Sequence, residues 1–296
     1  GYHLVGSVSY SIASTNQTGG NNTVRYVLTS GVDGTEAVTW AYSESAGGIV
    51  GLADVSAQAV TNTAFEPGDL SGTILWWHAR PSAANGISGS NDDVIATWDE
   101  NGGASGNQYG QTTVDKRPLL KTGANGINGQ NALFFDGTDD LFTSTIDFNT
   151  AFTTTAQTVW IVMDIGGFGA DTDPWDEDGL VCEETGYWGL AVNDDQVVYW
   201  DYSGELVMGS IQLINTTYVV EFRHDSGSEY FNINSGTEVN RVFGGSGAGS
   251  NLRVGANRAS AYFEGKIAEI IFSDIAESSV DRAKMQAVLE NIYGVV

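Results

Sequence analysis

The densest chemistry in the chain is the run Asp171-Thr172-Asp173-Pro174-Trp175-Asp176-Glu177-Asp178-Gly179, with five carboxylates in eight residues. Like charges this close repel, so the segment needs full hydration or a compensating cation. Ca²⁺ accepts roughly six to eight oxygen ligands in flexible geometry, and an irregular loop with acids at alternate positions can offer several of them. Asp171, Asp173, Asp176 and Asp178 are therefore the expected metal ligands, with Ca²⁺ the expected ion. The spacing is not that of an EF-hand, and Pro174 interrupts the loop. A hydrated acidic loop is the structural alternative.

Aromatic side chains follow closely. A pyranose stacks its C–H face on an indole or phenol ring, so Trp175, Tyr187, Trp188, Trp200 and Tyr202 form the expected carbohydrate platform. Strand alternation buries about half of such residues, which makes each of them a rival candidate for the core. Trp175 stands out because its sequence neighbours are mostly acidic.

A second acidic run, Asp136-Gly137-Thr138-Asp139-Asp140, follows the apolar Leu133-Phe134-Phe135 and reads as a structural turn. Gly137 is expected there at a backbone angle that other residues avoid. Cys182 sits in Gly179-Leu180-Val181-Cys182 and reads as a small buried hydrophobe, since no His or Asp pattern around it suggests a nucleophile. As the single cysteine it cannot form an intrachain disulfide. His3, His78 and His224 show no zinc spacing, and no nucleophile elbow, P-loop or dinucleotide fingerprint occurs. The paired carboxylates of a retaining glycosidase, about 5–5.5 Å apart, need an E-x-D-x-E type strand that the chain lacks. Glu183 and Glu184 point to opposite faces on a strand, and Glu264 to Glu269 has the wrong spacing. The expectation is a chain without enzymatic activity.

Thirty-seven acidic residues against 12 basic ones give a net charge of −25, with pI near 4.1. Such a polyanion repels nucleic acid, which is bound through basic stripes that release counterions. No apolar run approaches the roughly 18 residues of a membrane-spanning helix, so membrane insertion is not expected. Thirty-eight glycines and only four prolines suit many strands joined by tight turns.

The elements that must position these residues fall into two blocks. Residues 1–64 hold the strand candidates Tyr2 to Ile12, Val24 to Leu28, Ala37 to Tyr42 and Ile49 to Val55, with a polar turn from Asn16 to Asn22. They read as a small β domain used in assembly or attachment. Pro67-Gly68-Asp69 marks the break, and residues 65–296 read as a larger sandwich of about ten strands. They include Ile74 to Trp77, Val94 to Trp98, Thr158 to Met163, Tyr187 to Val192, Thr217 to Phe222 and Lys266 to Phe272. Trp76 and Trp77 must face opposite sides of their strand, one in the core and one under the N-terminal domain or a partner. One helix closes the chain: Ser278 or Ser279 caps it, and Val280, Ala283, Ala287, Val288 and Ile292 form its apolar stripe. Its expected role is to close one end of the sandwich. Glu264 and Glu269 are expected as surface or rim charges.

The fold class is therefore all-β, with a small N-terminal β domain, a two-sheet sandwich and one C-terminal helix. From Leu75 onward the chain resembles the laminin-G-like, concanavalin A-like jelly rolls of bacterial extracellular and phage proteins. The matching elements are Leu75-Trp76-Trp77, Val94 to Asp99 with Asn101-Gly102, Arg117-Pro118 and Ile127-Asn128-Gly129. Phe134 to Asp140 and the closing Phe263-Glu264-Gly265-Lys266-Ile267-Ala268-Glu269-Ile270-Ile271-Phe272 with its helix complete the set. The resemblance implies two antiparallel sheets packed face to face, with glycans, often together with Ca²⁺, at loop ends or on the concave face.

The expected function is a virion or cell-surface structural protein with a lectin-like sandwich that binds a glycan or host surface. Residues 1–64 would hold other virion or surface proteins, in an oligomer or larger assembly. A purely structural decoration or spacer protein is the alternative, and a glycoside hydrolase or lyase of the same class is the remote one.

Overall fold

The computed structural model describes residues 12–18, 23–28, 65–72, 74–80, 86–101, 108–147, 156–167, 178–183, 189–193, 196–201, 204–210, 214–242, 251–257 and 261–295. The chain divides into two compact units, 1–64 and 65–296.

In the first unit, β1 (Ile12–Thr18) pairs antiparallel with β2 (Thr23–Leu28), Thr18 opposite Thr23. The pairing takes in Asn16, Gln17 and Thr18, so the expected turn is shorter than its polar composition implied. Backbone pairing tolerates polar side chains on a strand. The candidates Ala37 to Tyr42 and Ile49 to Val55 lie outside the described residues.

The second unit begins with β3 (Ile74–His78), β4 (Thr97–Asp99), β5 (Gln108–Gly110), β6 (Leu119–Lys121), β7 (Ala132–Asp136) and β8 (Phe142–Asp147). Then come β9 (Ala156–Ile165), β10 (Asp178–Glu183), β11 (Gly189–Asn193), β12 (Gln196–Asp201) and β13 (Gly204–Ser210). The last are β14 (Thr217–Asp225), β15 (Ser228–Ile233), β16 (Val239–Val242), β17 (Asn251–Val254), β18 (Glu264–Ser273) and the helix α1 (Ser279–Tyr293).

These strands build two antiparallel sheets. One runs β13-β12-β11-β10-β17-β8-β5-β4; the other runs β16-β15-β14-β9-β18-β7-β6, with β3 pairing the second half of β18. Between them lies one core, in which Trp98, Tyr109, Phe142, Leu180 and Val254 from the first sheet meet Phe135, Ile161, Phe222, Phe231 and Ile270 from the second. Trp77 joins it with its ring centroid 4.7 Å from that of Tyr109. Among the described residues the chain forms the expected all-β two-sheet sandwich with a C-terminal helix.

β9 and β18 are buried almost without alternation because both of their faces are covered. The inner face meets the opposite sheet, and the outer face carries a second apolar cluster. There Trp76, Trp160, Val162, Val219, Ala268 and Ile271 pack against Met285, Leu289 and Tyr293 of α1. Each of the larger aliphatic side chains buried there contributes about 1.5–3 kcal/mol.

That arrangement corrects three expectations. The helix lies on the outer face of one sheet instead of closing an end. Trp76, the outward partner of Trp77, packs in this cluster with the helix. The buried face of the helix is Met285, Gln286, Leu289 and Tyr293, whereas Val280 is 61% exposed. Large side chains bury more area than Ala and Val at the same spacing, so they decide which face turns inward. The caps are Ser278, whose hydroxyl accepts from the Asp281 amide, and Gly294 with φ of 69°.

Candidate functional site

β7 ends at Asp136 after placing Phe135 in the core, and the chain crosses to the other sheet before Phe142 starts β8. The turn that carries it across is built by carboxylates. Asp136 Oδ1 accepts the amides of Thr138 (2.8 Å) and Asp139 (3.3 Å), and Asp140 Oδ2 accepts the amide of Asp136 (3.1 Å). Gly137 adopts φ of 73°, and a Cβ at this position would stand 2.8 Å from Cβ of Glu264. The expected special angle is present, with close packing as a second reason for glycine.

This folding leaves one carboxylate oxygen from each of Asp136, Asp139 and Asp140 within 4.8 Å of the others. Asp140 is only 4% exposed. Burial, reinforced by the charges of Asp136 and then Asp139, pushes its carboxyl up to about 6, against the lowering effect of its bond to the Asp136 amide. Three oxygens of one sign at this separation can be reconciled by a proton or by a metal ion. The donor set is all oxygen, which suits a hard cation. From the sequence this turn reads as structural; the signal for more is the Asp-x-x-Asp-Asp spacing.

Of the carboxylates expected as metal ligands, Asp171, Asp173 and Asp176 lie outside the described residues. Asp178 opens β10, buried, with Val192 opposite it. Among the aromatics expected to bind sugar, Trp175, Tyr187, Trp188 and Tyr202 also lie outside the described residues. Trp200 falls on β12, between Gly189 of β11 and Glu205 of β13. Cys182 is fully buried beside Ala191, as expected of a small hydrophobe.

A second carboxylate arrangement escaped the sequence altogether. Glu269, expected at the rim, is 1% exposed on the outer face of β18 beneath α1. Trp76 Nε1 donates to its Oε1 at 2.6 Å and Tyr293 Oη to its Oε2 at 2.7 Å. Arg80 reaches Oε1 at 3.5 Å, and His78 is its partner in the β3–β18 register. Burial raises its pKa, and Arg80, Tyr293 and Trp76 each counter that effect. Its donors come from β3, from the residues after β3 and from the last turn of α1, so only the assembled fold brings them together. Glu264, by contrast, is exposed, as expected.

No family model matches the chain, and no curated protein matches it. Solved structures do share its fold. One is a Trypanosoma rangeli sialidase in complex with sialic acid, with TM-score 0.50 and 11% identity over 74% of this chain and 33% of that one. Another is an HCR/D mutant, with TM-score 0.51 and 10% identity over 73% of this chain and 52% of that one. These neighbours are β-sandwich or jelly-roll-like, and the chain spans about a third to a half of their length. At these identities the likeness carries the fold alone. It still overturns the expectation of a chain without enzymatic activity: a sialidase contains this fold, so the missing E-x-D-x-E strand excludes one mechanism and not enzymes as a class. Among the described residues, no helix is long and apolar enough to cross a membrane.

Proposed function

We propose that residues 65–296 form a glycan-binding sandwich of the laminin-G-like, concanavalin A-like type. It belongs, in this reading, to a virion or cell-surface protein whose residues 1–64 attach it to neighbouring proteins. The observation that carries the proposal is the two-sheet fold shared with a sialidase solved with sialic acid. The aromatic and acidic segment from Asp171 to Tyr202 supplies the residue types a sugar platform needs. Ca²⁺ is the proposed ion for the turn of Asp136, Asp139 and Asp140, where it would neutralise the crowded carboxylates and stiffen the β7–β8 connection.

The test is a glycan array probed with the full chain, with Ca²⁺ and with chelator. Specific binding that disappears in Trp175→Ala supports the platform. Silence across the array would leave the decoration or spacer role as the better account. Release of free sugar from bound glycans, followed in the same wells, reports whether binding is accompanied by turnover.

A further inference from the structure

We infer that the groove between α1 and the outer face of β14 and β15 is a saccharide site, which reads the hydroxyl groups of its ligand. The inference rests on the glycan-binding reading above and adds a site to it.

Two polar rows face each other there. Residues four apart share a face of a helix, so Arg282, Gln286 and Glu290 form one row along α1. The sheet supplies the other: Glu221 and Arg223 of β14, Asn232 of β15, which stands opposite Glu221 and so shares its face, and Ser235 just after β15. Ties at both ends hold the rows together. At one end Arg282 pairs with Glu221 and, at 3.2 Å, with Glu238 Oε2, which Arg223 also reaches at 3.5 Å. At the other end Ser235 Oγ donates to Glu290 Oε1 at 2.8 Å.

The stretch between the ties is unfinished. Gln286 Nε2 donates to Glu290 Oε1 at 2.9 Å, and Asn232 Nδ2 donates to the Gly236 carbonyl at 3.0 Å. A carboxylate and a backbone carbonyl can only accept, so these bonds fix which way each amide points. The oxygens left over, Gln286 Oε1 and Asn232 Oδ1, are buried and have no hydrogen-bond partner among the described residues. The same holds for Nε of Arg223 and of Arg282. Gln286 as a whole is 4% exposed and Arg223 9%.

Buried polar atoms are unfavourable unless something bonds them. Two carbonyl oxygens on opposite walls cannot serve each other, and neither can two N–H groups. An occupant of this groove must therefore both donate and accept, which a hydroxyl does at a single oxygen. Water does so too. The row from Arg282 to Glu290, however, is about 12 Å long at a rise of about 1.5 Å per residue, more than one water bridges. A hexose carries several adjacent hydroxyls on one rigid ring and spans that length. Entry is from the side of Ser235 and Gly236, which are exposed, and of Glu238, whose side chain is 34% exposed.

Side-chain ¹⁵N NMR of the full chain reads this site directly, through the amides of Gln286 and Asn232 and the Nε–H groups of Arg223 and Arg282. Glucose, galactose, mannose and N-acetylglucosamine are titrated, with glycerol as the control. At least one sugar should shift these signals saturably, with a dissociation constant of about 1 mM, and glycerol should not. Gln286→Met keeps the side-chain length and removes the acceptor; it should weaken that sugar at least about tenfold at the parent's melting midpoint. Unchanged sugar affinity in this variant shows a merely structural role and overturns the inference. Should the variant fail to fold, the titration of the parent decides alone. A sugar that binds by calorimetry without moving the groove signals overturns the inference and leaves the glycan-binding reading in place. Groove signals that answer to no sugar and show contacts only to long-lived water assign the groove to ordered water, which also overturns it. Silence toward sugars by NMR, calorimetry and the glycan array removes both.

Discussion

Two carboxylate sites in the same sandwich face the same physical problem and meet it differently. Glu269 and Asp140 are both buried and both have a raised pKa, first of all through loss of hydration. Glu269 is surrounded by donors: an indole N–H, a phenol O–H and a guanidinium. Asp140 accepts a single backbone amide and has two further aspartates beside it. The first site is electrostatically complete, and it holds α1 to β3 and β18. The second carries excess negative charge at a loop end, where a cation can reach it. A buried acid is thus no guide to function until its partners are counted.

The widest gap between the two sites should appear when each acid is removed. Glu269→Ala strands Trp76 Nε1, Tyr293 Oη and Arg80, and should cost about 3–5 kcal/mol of unfolding free energy in urea denaturation. Glu269→Gln keeps one acceptor and should cost about 1–3 kcal/mol. An alanine variant with the parent's midpoint would deny Glu269 its role as the lock.

The complementary experiment adds what the turn lacks. Ca²⁺ at about 100 times its dissociation constant should stabilise the chain by about 2.7 kcal/mol. The gain should vanish when Asp136, Asp139 and Asp140 all become Asn. If the triple variant keeps the full gain, the ion binds elsewhere and the contrast between the sites loses its meaning.

Titration sharpens the same comparison with a smaller effect. Because the Asp140 pKa is raised from 3.8 to about 6, the folded state favours its protonated form. Its contribution to stability is present below the unfolded value and is lost as pH rises through about 6. Carboxyl ¹³C shifts should show Asp140 titrating near that pH without metal and well below it with Ca²⁺. Asp140→Asn should flatten the stability profile across that interval. An Asp140 that titrates at the ordinary aspartate value would show the turn to be well hydrated.

The smallest effect concerns the helix that covers Glu269. Ser278→Ala removes the acceptor for the Asp281 amide and should cost about 1 kcal/mol in the same denaturation series. No change would mean that α1 is held by its packing and by Glu269 alone.

How much of this was legible beforehand varies from residue to residue. The opposed faces of Trp76 and Trp77 follow from strand geometry, and the Ser278 cap follows from local chemistry at the helix start. The left-handed Gly137 was likewise legible in its turn. What covers Trp76 was not, because the answer is a helix some 200 residues later in the chain. The helix face was misjudged for a related reason: spacing identifies several candidate stripes, and the sheet beneath selects the one with the largest side chains. Glu269 reads as a rim charge from the sequence because its donors, Trp76, Arg80 and Tyr293, are distant in sequence or lie on another element.

By itself, then, the sequence determined the alternation of strands and turns, the all-β class, the C-terminal helix and a strongly negative net charge. All of these rest on local backbone preference, apolar periodicity or simple charge count. Tertiary structure alone decided which acids are neutralised and which remain crowded. Electrostatic partnership depends on distances of a few ångströms between residues that the chain order keeps far apart.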